Sequence, residues 1–496
     1  MALYDRLSSV TVTGDPGARC ALLSARLEAP IYRPPLIYTV ESAGWPGDWE
    51  GRTILALTCL CRVTKREPSF LDSIVEGLPG YFNEKGYLGK VLPEGEFDEQ
   101  QLSGHSWLLR GLCEYYIYRR CPMVLTMIDG IVEGLFLPAL GKYESYPSTP
   151  EERLMRGGAE SGSVAAVIGS WHISTDTGCA FIPLDGLSHA YELLTSVVPR
   201  PERDKKLLLL IESMIDKFSL LPFIEACVQT HATLTGCRGI MRMYSVLHKA
   251  EYLDTVKRLF GLYEDKGMTA NFENFNWFCR PEWTEPCAVI DSFMLACQLW
   301  EATGQRHYGE IAQSIMYNGM YRTQRKNGGF GCDSCAEDGY LGFHCEEAFW
   351  CCSMRGGEGL ASSACYAVSG DGVILYPHSG IFSVNGKVLK MTTDYPHEGR
   401  VIIEHTGRVR LFIPGFIASV KASCPVDIKN GFAELDINGR AEIELEMPEY
   451  SDIYKGKRRY FKGPLMLGER NGKTAAFDRE YLQNEEYGQK IKILFD

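Results

Sequence analysis

Apolar residues recur at three- and four-residue steps through most of the chain between residues 50 and 365. Clusters of glycine, proline and polar residues separate the segments with this pattern, which include residues 52–63, 106–118, 203–218, 253–266 and 287–301. The periodicity predicts amphipathic helices, about a dozen in all. Because longer loops link the predicted helix pairs, the pattern favours a helical toroid over a bundle with short connections.

After Ala367 the pattern changes to short segments in which apolar and polar residues alternate, separated by Gly, Asn, Asp and Pro. The predicted strands are residues 373–376, 380–384, 387–393, 400–405, 408–413, 418–422, 432–437 and 441–446. Such a series predicts an antiparallel β-sandwich. We therefore expect a helical domain over residues 1–368 and a β-sandwich domain over residues 369–496, with the boundary near Ser369 and Gly370.

The 496-residue chain carries a formal net charge of −12, and 45% of its residues are hydrophobic and 23% charged. This balance is typical of a soluble globular protein. Lys and Arg cluster only in the short run at residues 455–459, which argues against nucleic acid as a partner. The N-terminal residues lack the basic start and apolar core of a signal peptide, and no stretch is expected to reach transmembrane length. The 18 cysteines then predict reduced thiols, a cytoplasmic location and no membrane partner.

Four residues form a candidate zinc site: Glu285 and Cys287 in a Glu-Pro-Cys motif, and the adjacent pair Cys351-Cys352 further along the chain. A carboxylate and three thiols are a plausible tetrahedral set for zinc. A metal-bound thiolate is also a nucleophile at neutral pH, so the site is either structural or catalytic. Against this interpretation, many of the 18 cysteines are expected to be small core residues without chemistry.

Other cysteines offer alternatives to these ligands. The pair Cys332 and Cys335 has the spacing of a zinc knuckle but lacks an obvious second pair. Cys279 and Cys345 both lie close in sequence to the candidate site. Either of them is an alternative to one of the four ligands.

The order of these and other motifs resembles the β-L-arabinofuranosidases of glycoside hydrolase family 127 and their relatives. The matching pieces, in chain order, are Glu285-x-Cys287, Tyr317-Asn318-Gly319, Cys351-Cys352, Tyr395-Pro396 and Gly463-Pro464-Leu465. Two upstream pieces, Gly104-His105 and His231-Ala232, match more loosely. The resemblance is therefore stronger after Glu285 than before it.

The resemblance implies an (α/α)6 barrel followed by an antiparallel β-sandwich, and a retaining glycoside hydrolase with zinc as its cofactor. Carried over by position, Glu285, Cys287, Cys351 and Cys352 would bind zinc. Cys351 would also attack the anomeric carbon of the substrate. The chain departs from the family at residues 353–355, where Ser-Met-Arg replaces the usual Pro-Pro-Asn, and this departure bears on the sugar specificity.

The family also carries a general acid/base glutamate a little upstream of the Glu-x-Cys motif. Glu273 is the nearest match here, although its distance in sequence from Glu285 is shorter than expected. Glu282 lies in the same loop and is the alternative. Glu273 is favoured because retaining chemistry needs two groups about 5 Å apart, and Glu282 is close enough to Glu285 to turn toward the metal.

A sugar pocket also needs hydrogen-bond partners for the ring hydroxyls and an aromatic face for stacking. The candidates lie at polar or glycine-rich breaks between predicted helices and are His105, Asp176, His189, His231, His344, Trp49 and Trp277. Each histidine also has a structural interpretation, as a helix cap or a satisfied core hydrogen bond.

The function expected from these residues is an exo-acting β-L-arabinofuranosidase on short oligosaccharides, with a small carbohydrate as partner and homodimer formation left open. Two alternatives stay open. One is a sugar isomerase, epimerase or lyase on the same toroid with a structural zinc, and the other is a carbohydrate-binding protein without catalysis. The fold alone does not choose among them, because such toroids host many activities, and the cysteine and glutamate residues favour the hydrolase.

Overall fold

The computed structural model describes residues 3–38, 44–155, 157, 164–470, 472–476 and 490–496. The α-helices are α1 (Leu3–Ser9), α2 (Gly14–Leu27), α3 (Asp48–Thr64), α4 (Leu71–Gly77), α5 (Glu99–Arg119), α6 (Pro122–Ile131), α7 (Pro150–Arg153), α8 (Pro183–Val197), α9 (Pro201–Ser219), α10 (Thr230–Leu247), α11 (Ala250–Lys266), α12 (Pro286–Thr303), α13 (Arg306–Ser314), α14 (Tyr321–Thr323) and α15 (Cys352–Ala367). Short π-helical segments, Val132–Phe136 and Ile315–Met320, extend α6 and α13.

Six of the described helices form a closed inner ring. In order around the ring they are α3, α5, α8, α10, α12 and α15; each packs against the next, and α15 packs back against α3. An outer helix precedes each inner helix along the chain, in the order α2, α4, α6, α9, α11 and α13. This alternation is an (α/α)6 barrel and confirms the fold implied by the sequence. Because each outer helix returns the chain, the inner helices run in one direction and their N-termini share one end of the barrel.

The burial of each helix follows its place in the barrel. The outer helix α11 is amphipathic and buries one face, formed by Tyr252, Val256, Leu259, Phe260 and Tyr263. The inner helix α15 is buried along its whole length. Glycines allow the inner helices to approach closely: a Cβ on Gly51 would lie 2.2 Å from the backbone nitrogen of Leu108, and one on Gly239 would lie 2.3 Å from the carbonyl carbon of Leu184.

The strands form three sheets. They are β1 (Val10–Val12), β2 (Phe97–Asp98), β3 (Val164–Ile168), β4 (Trp171–Ser174), β5 (Tyr340–Gly342), β6 (Val373–Ile374), β7 (Gly380–Val384), β8 (Lys387–Thr393), β9 (Arg400–Phe412), β10 (Ser419–Ala422), β11 (Val426–Lys429), β12 (Phe432–Glu446), β13 (Glu449–Tyr454), β14 (Lys457–Lys462), β15 (Leu465–Arg470), β16 (Lys473–Ala476) and β17 (Lys490–Lys492). A small sheet of order β2-β4-β3 belongs to the barrel.

Two larger sheets make up the C-terminal region and are antiparallel apart from the short β6–β9 pair. One has the order β1-β7-β8-β9-β12-β10, and the other has the order β13-β14-β15-β17-β5. Both recruit a strand from the barrel part of the chain, since Val10 pairs with Phe382 and Leu341 pairs with Ile491. The division into domains at residue 368 stays a prediction, and these pairings tie the two parts together.

The predicted strands at 400–405 and 408–413 are a single strand, β9, and those at 432–437 and 441–446 are a single strand, β12. Thr406 and Gly407 read as a turn in the sequence, but Gly407 pairs with Ile437 and the ladder continues through it. The partner strand, which is distant in sequence, overrides the local turn preference.

One described segment, Pro122–Ala139, is long and apolar enough to span a membrane, with a mean hydropathy of 1.4. The sequence interpretation had expected none. The segment comprises α6 and its π-helical extension, and α6 packs against α5 as an outer helix of the barrel. A single such segment is weak support for a membrane span, because core helices of globular proteins have the same length and composition.

Candidate functional site

Two inner helices bring the four predicted metal ligands together at the N-terminal end of the ring. Glu285 is the N-cap of α12 and Cys287 is its second residue. Cys351 is the N-cap of α15 and Cys352 is its first residue. Because α12 packs against α15, one ligand atom from each of the four residues lies within 4.8 Å of the others.

The donor atoms of this cluster fit zinc. The Sγ atom of Cys352 lies 3.3 Å from that of Cys351 and 3.5 Å from that of Cys287. Three thiols and one carboxylate match the ligand types and the number that tetrahedral zinc takes. The Oε2 atom of Glu285 is buried and has no hydrogen-bond partner, which suits a carboxylate oxygen that faces a cation. The four residues can therefore hold a metal ion.

Cys279, Cys335 and Cys345 lie outside this cluster, whereas the thiol of Cys332 contacts that of Cys352. Among the described residues, the four predicted ligands are the one group of His, Cys, Asp and Glu that converges in this way. Cys279 is exposed, and the Sγ atom of Cys345 accepts a hydrogen bond from the backbone nitrogen of Cys332 at 3.3 Å. The Sγ atom of Cys335 is directed to the carbonyl oxygen of Asn274, 3.9 Å away.

The cluster favours a thiolate at Cys287, whereas contacts within the cluster and burial raise the pKa values of Cys351 and Cys352 well above the usual value. Burial opposes ionisation of Cys287, but hydrogen bonds from the Cys351 and Cys352 thiols and the charge of Arg52 outweigh it and hold the pKa of Cys287 well below its usual value. Arg52 donates to the Sγ atom of Cys287 at 3.5 Å and is itself paired with Asp48 at 2.9 Å. The N-termini of α12 and α15 add their positive dipole ends to the same volume.

His231 lies directly behind the ligand Glu285 in the structure. Its Nδ1 atom lies 3.1 Å from Oε1 of Glu285, and its Nε2 atom lies 3.4 Å from Oδ2 of Asp291. The ring stacks on Trp107 with centroids 5.7 Å apart. Both ring nitrogens therefore face protein carboxylates, and His231 contacts a candidate metal ligand, whereas the sequence had suggested a substrate ligand.

Asp291 was not singled out in the sequence, although it holds His231. It is fully buried in α12, four residues after Cys287, and pairs with Arg238 at 2.7 Å and with Arg355. A lone acidic residue on the buried part of an otherwise apolar helix was the available signal.

We expect Asp291→Asn to lower the affinity for zinc by about 10- to 100-fold, because the link that fixes His231 and Glu285 is weakened. His231→Gln tests the same link without disturbing the arginine partners of Asp291. Competition with a chromophoric chelator measures the affinity. Asp254→Asn, at an exposed position on α11, is the matched control. An unchanged zinc affinity in both variants would show that the contacts behind Glu285 are irrelevant to the metal.

Glu273 is fully buried beside the metal cluster. The side chain of its neighbour Asn274 accepts a hydrogen bond from the backbone nitrogen of Glu285 at 2.8 Å. Neither carboxyl oxygen of Glu273 forms a hydrogen bond in the structure. Burial, together with the negative charge of Asp333, raises the pKa of Glu273 well above its usual value. This environment favours the protonated form of the carboxyl group.

Asp333 pairs with Arg325 at 2.6 Å. The backbone nitrogen of Thr284 donates to the carbonyl oxygen of Asp333, and the backbone nitrogen of Asp333 donates to Oγ1 of Thr284, both at 2.9 Å. The alternative glutamate, Glu282, has a different environment: its side chain is exposed and forms an ion pair with Arg280. The structure thus gives the two glutamates contrasting environments.

The predicted aromatic platforms are largely buried. Trp49 and Trp277 are each 2% exposed, so in this structure neither presents a face to a sugar. Trp277 donates to Asp176 through its indole nitrogen at 3.3 Å, which joins two predicted site residues. His344 is exposed and stacks on the half-buried Trp283 with centroids 5.5 Å apart. The sequence analysis did not select Trp283 as an aromatic candidate, because its exposure depends on the surrounding loop.

His105 and His189 belong to the barrel core. The Nδ1 atom of His105 lies 2.8 Å from the carbonyl oxygen of Gln101, and its Nε2 atom accepts a hydrogen bond from the backbone nitrogen of Leu88 at 3.0 Å. These contacts occupy both ring nitrogens, and a role for His105 in binding sugar stays a prediction. His189 is buried against Arg110.

We expect His105 to make the fold sensitive to acid. Burial lowers its pKa from 6.5 to about 4, so between these values the unfolded chain binds a proton that the folded chain excludes. Its contribution to stability is complete above pH 6.5 and is lost as the pH falls toward 4. From pH 6.5 to 5 the free energy of unfolding should fall by about 2 kcal/mol because of this residue. Urea denaturation at both pH values should show a smaller fall in His105→Gln, and equal falls would contradict the assignment.

The fold and the site together define a class of protein: an (α/α)6 barrel with attached antiparallel sheets and a cysteine-rich cluster that could hold a metal ion at the N-termini of two inner helices. No family model matches the sequence, and no curated protein matches it. Among the solved structures that share the fold, three align over more than 90% of this chain.

The first, described as a glycoside hydrolase, aligns with a TM-score of 0.64 and 14% identity over 93% of this chain and 82% of that one. A GH127 β-arabinofuranosidase aligns with a TM-score of 0.62 and 14% identity, over 93% of this chain and 84% of that one. A GH127 β-L-arabinofuranosidase from Geobacillus stearothermophilus T6 aligns with a TM-score of 0.57 and 15% identity, over 92% of this chain and 82% of that one. The resemblance inferred from the motifs is confirmed at the level of the fold.

Proposed function

We propose that this protein is a retaining glycoside hydrolase in which Cys351 is the nucleophile and Glu273 is the general acid and base. The observation that carries the proposal is the accessibility of one thiol in the cluster. Cys287 and Cys352 are buried, whereas Cys351 is only partly buried. A nucleophile must reach its substrate, and Cys351 is the member of the set that meets this condition.

The two residues supply complementary halves of the reaction. In the first step the Sγ atom of Cys351 bonds to the anomeric carbon while the glycosidic C–O bond breaks, and Glu273 donates its proton to the leaving oxygen. In the second step the Glu273 carboxylate takes a proton from water, the water oxygen bonds to the anomeric carbon, and the C–S bond breaks. Two inversions at one carbon retain its configuration.

The residues of the cluster prepare Cys351 for this task. Glu285, Cys287 and Cys352 would hold zinc together with Cys351, and the ion would supply positive charge that keeps the sulfur ionised and stabilises it as a leaving group. His231 and Asp291 fix Glu285 from behind. Zinc is thus the proposed cofactor.

The proposed substrate is a short oligosaccharide or glycoside that ends in β-L-arabinofuranose, released from the chain end. The motifs shared with family 127 support this choice, and so does the fact that two structural neighbours are β-arabinofuranosidases. The proposed location is the cytoplasm, because all 18 cysteines are free in the structure and a reducing compartment keeps them so.

A panel of chromogenic glycosides, headed by a β-L-arabinofuranoside, tests the proposal when the zinc content of the same preparation is measured. We expect one zinc ion per chain and release of the β-anomer first, which proton NMR detects. Zinc binding without hydrolysis of any glycoside would refute the hydrolase and direct attention to a sugar isomerase or a binding protein. The stereochemical result separates a retaining from an inverting enzyme.

A further inference from the structure

The loop that carries Glu273 has an unusual backbone. Its neighbour Phe272 has a φ of +64°, in the left-handed region that a bulky side chain rarely adopts. The turn is closed locally, since the backbone nitrogen of Thr269 donates to the carbonyl of Glu273 and the backbone nitrogen of Glu273 donates to Oγ1 of Thr269, both at 3.0 Å. Such a conformation persists only where the surroundings hold it in place.

The hairpin of β13 and β14 in the C-terminal sheet holds the loop in this conformation. Arg459, in β14, donates to the carbonyl oxygen of Ala270 at 2.6 Å, and its guanidinium lies 4.8 Å from the centroid of the Phe272 ring. Asp452 fixes the guanidinium through two hydrogen bonds of 2.9 and 2.6 Å. Arg459 is 8% exposed, so its charge is committed to these contacts.

A second group of contacts supports the same loop from the motif Tyr317-Asn318-Gly319. The Asn318 side chain donates to the carbonyl oxygen of Pro464 at 2.9 Å and accepts from the backbone nitrogen of Met466 at 2.7 Å. A Cβ on Gly319 would lie 2.9 Å from the carbonyl oxygen of Phe272. The motif therefore joins the second sheet to the back of the Glu273 loop.

We propose that Arg459 is a positioning residue for Glu273: from the C-terminal sheet it holds the turn at residues 269–273 so that the carboxyl group faces into the barrel. This inference rests on the proposed role of Glu273 as acid and base. It assigns the C-terminal region a part in the reaction, although Arg459 itself touches no reacting atom.

The test compares Arg459→Ala with Arg458→Ala in the full chain. Arg458 lies on the same strand but is exposed, and its side chain donates to Ser451, so it is a matched control. We expect Arg459→Ala to lower kcat by about 10- to 100-fold with KM nearly unchanged, because a small displacement of an acid costs the chemical step. The zinc content should stay at the wild-type value.

A double variant shows whether Arg459 acts through Glu273. In a Glu273→Gln background, Arg459→Ala should cause no further loss of kcat, whereas independent effects would multiply. Arg459→Lys keeps the charge but loses the planar fork, so it should fall between the wild type and Arg459→Ala. If Arg459→Ala fails to fold, Arg459→Lys carries the same comparison. The proposal would be overturned if the losses of kcat from Glu273→Gln and Arg459→Ala multiplied in the double variant. It would also be overturned if Arg459→Ala alone had the wild-type kcat.

Hydrogen exchange followed by mass spectrometry provides a readout that needs no turnover. The peptide covering residues 268–276 should exchange faster in Arg459→Ala than in the wild type and in Arg458→Ala. Unchanged exchange would refute the positioning role even if the protein is a hydrolase. If exchange is faster in Arg459→Ala but the protein hydrolyses no glycoside, the positioning of the loop stands and the proposed hydrolase function is wrong.

Discussion

Cys351→Ser should lower the turnover of a β-L-arabinofuranoside by roughly 10⁴-fold or more, the loss typical when a covalent nucleophile is removed. The structural reason is that Cys351 is the partly exposed thiol of the cluster, while Cys287 and Cys352 are buried behind it. A serine hydroxyl stays protonated at neutral pH where a metal-held thiol is ionised. Steady-state kinetics and metal analysis on the same sample measure the effect.

Cys424→Ser is the matched control, since Cys424 is also partly buried but lies between β10 and β11 in the C-terminal region. It should behave as the wild type does. A slowly hydrolysed substrate should leave the sugar attached to the peptide that contains Cys351, and mass spectrometry should locate it there. Turnover of Cys351→Ser at the wild-type rate would remove Cys351 as the nucleophile and favour a structural zinc.

Glu273→Gln should lower kcat by about 10²- to 10⁴-fold for substrates with a poor leaving group. A nitrophenyl leaving group needs no proton, so its first step should persist while the glycosyl-enzyme accumulates. In the wild type, the raised pKa of Glu273 means that activity falls as the pH rises through that value, because the acid form is lost. This basic limb of the pH profile should be absent in Glu273→Gln.

Glu282→Gln is the control for this prediction. Glu282 is exposed and paired with Arg280, so its replacement should leave both kcat and the basic limb unchanged. A large loss in Glu282→Gln together with a normal Glu273→Gln would exchange the two roles.

Much of the fold could be predicted because its signals are local. The apolar periodicity that predicts α11 and α12 lies within the residues of each helix. The ring of inner helices then follows when the predicted helices are paired. The long strands β9 and β12 were divided at Thr406 and Gly407, since the pairing of Gly407 with Ile437 overrides the local turn signal. The pairing of Val10 with Phe382 had no local signal at all.

The candidate site divides in the same way. Glu285, Cys287 and the cysteine pair could be found from their chemistry alone, because few other combinations suit zinc. Asp291 and Arg459 could not, since a buried Asp or Arg gains its meaning from partners that are distant in sequence. His105 was placed in the sugar site because a lone histidine between helices is ambiguous until the contacts of both ring nitrogens are known.

The pairing of β1 with β7 has a consequence for biosynthesis. Residues Val10–Val12 leave the ribosome several hundred residues before their partners Gly380–Val384, which at roughly 5–20 residues per second means a delay of tens of seconds. Contact between α3 and α15 is delayed in the same way. The nascent chain therefore emerges as an open arc of helices, and the barrel closes only near the end of translation. Chaperones that shield apolar surface would act during this interval.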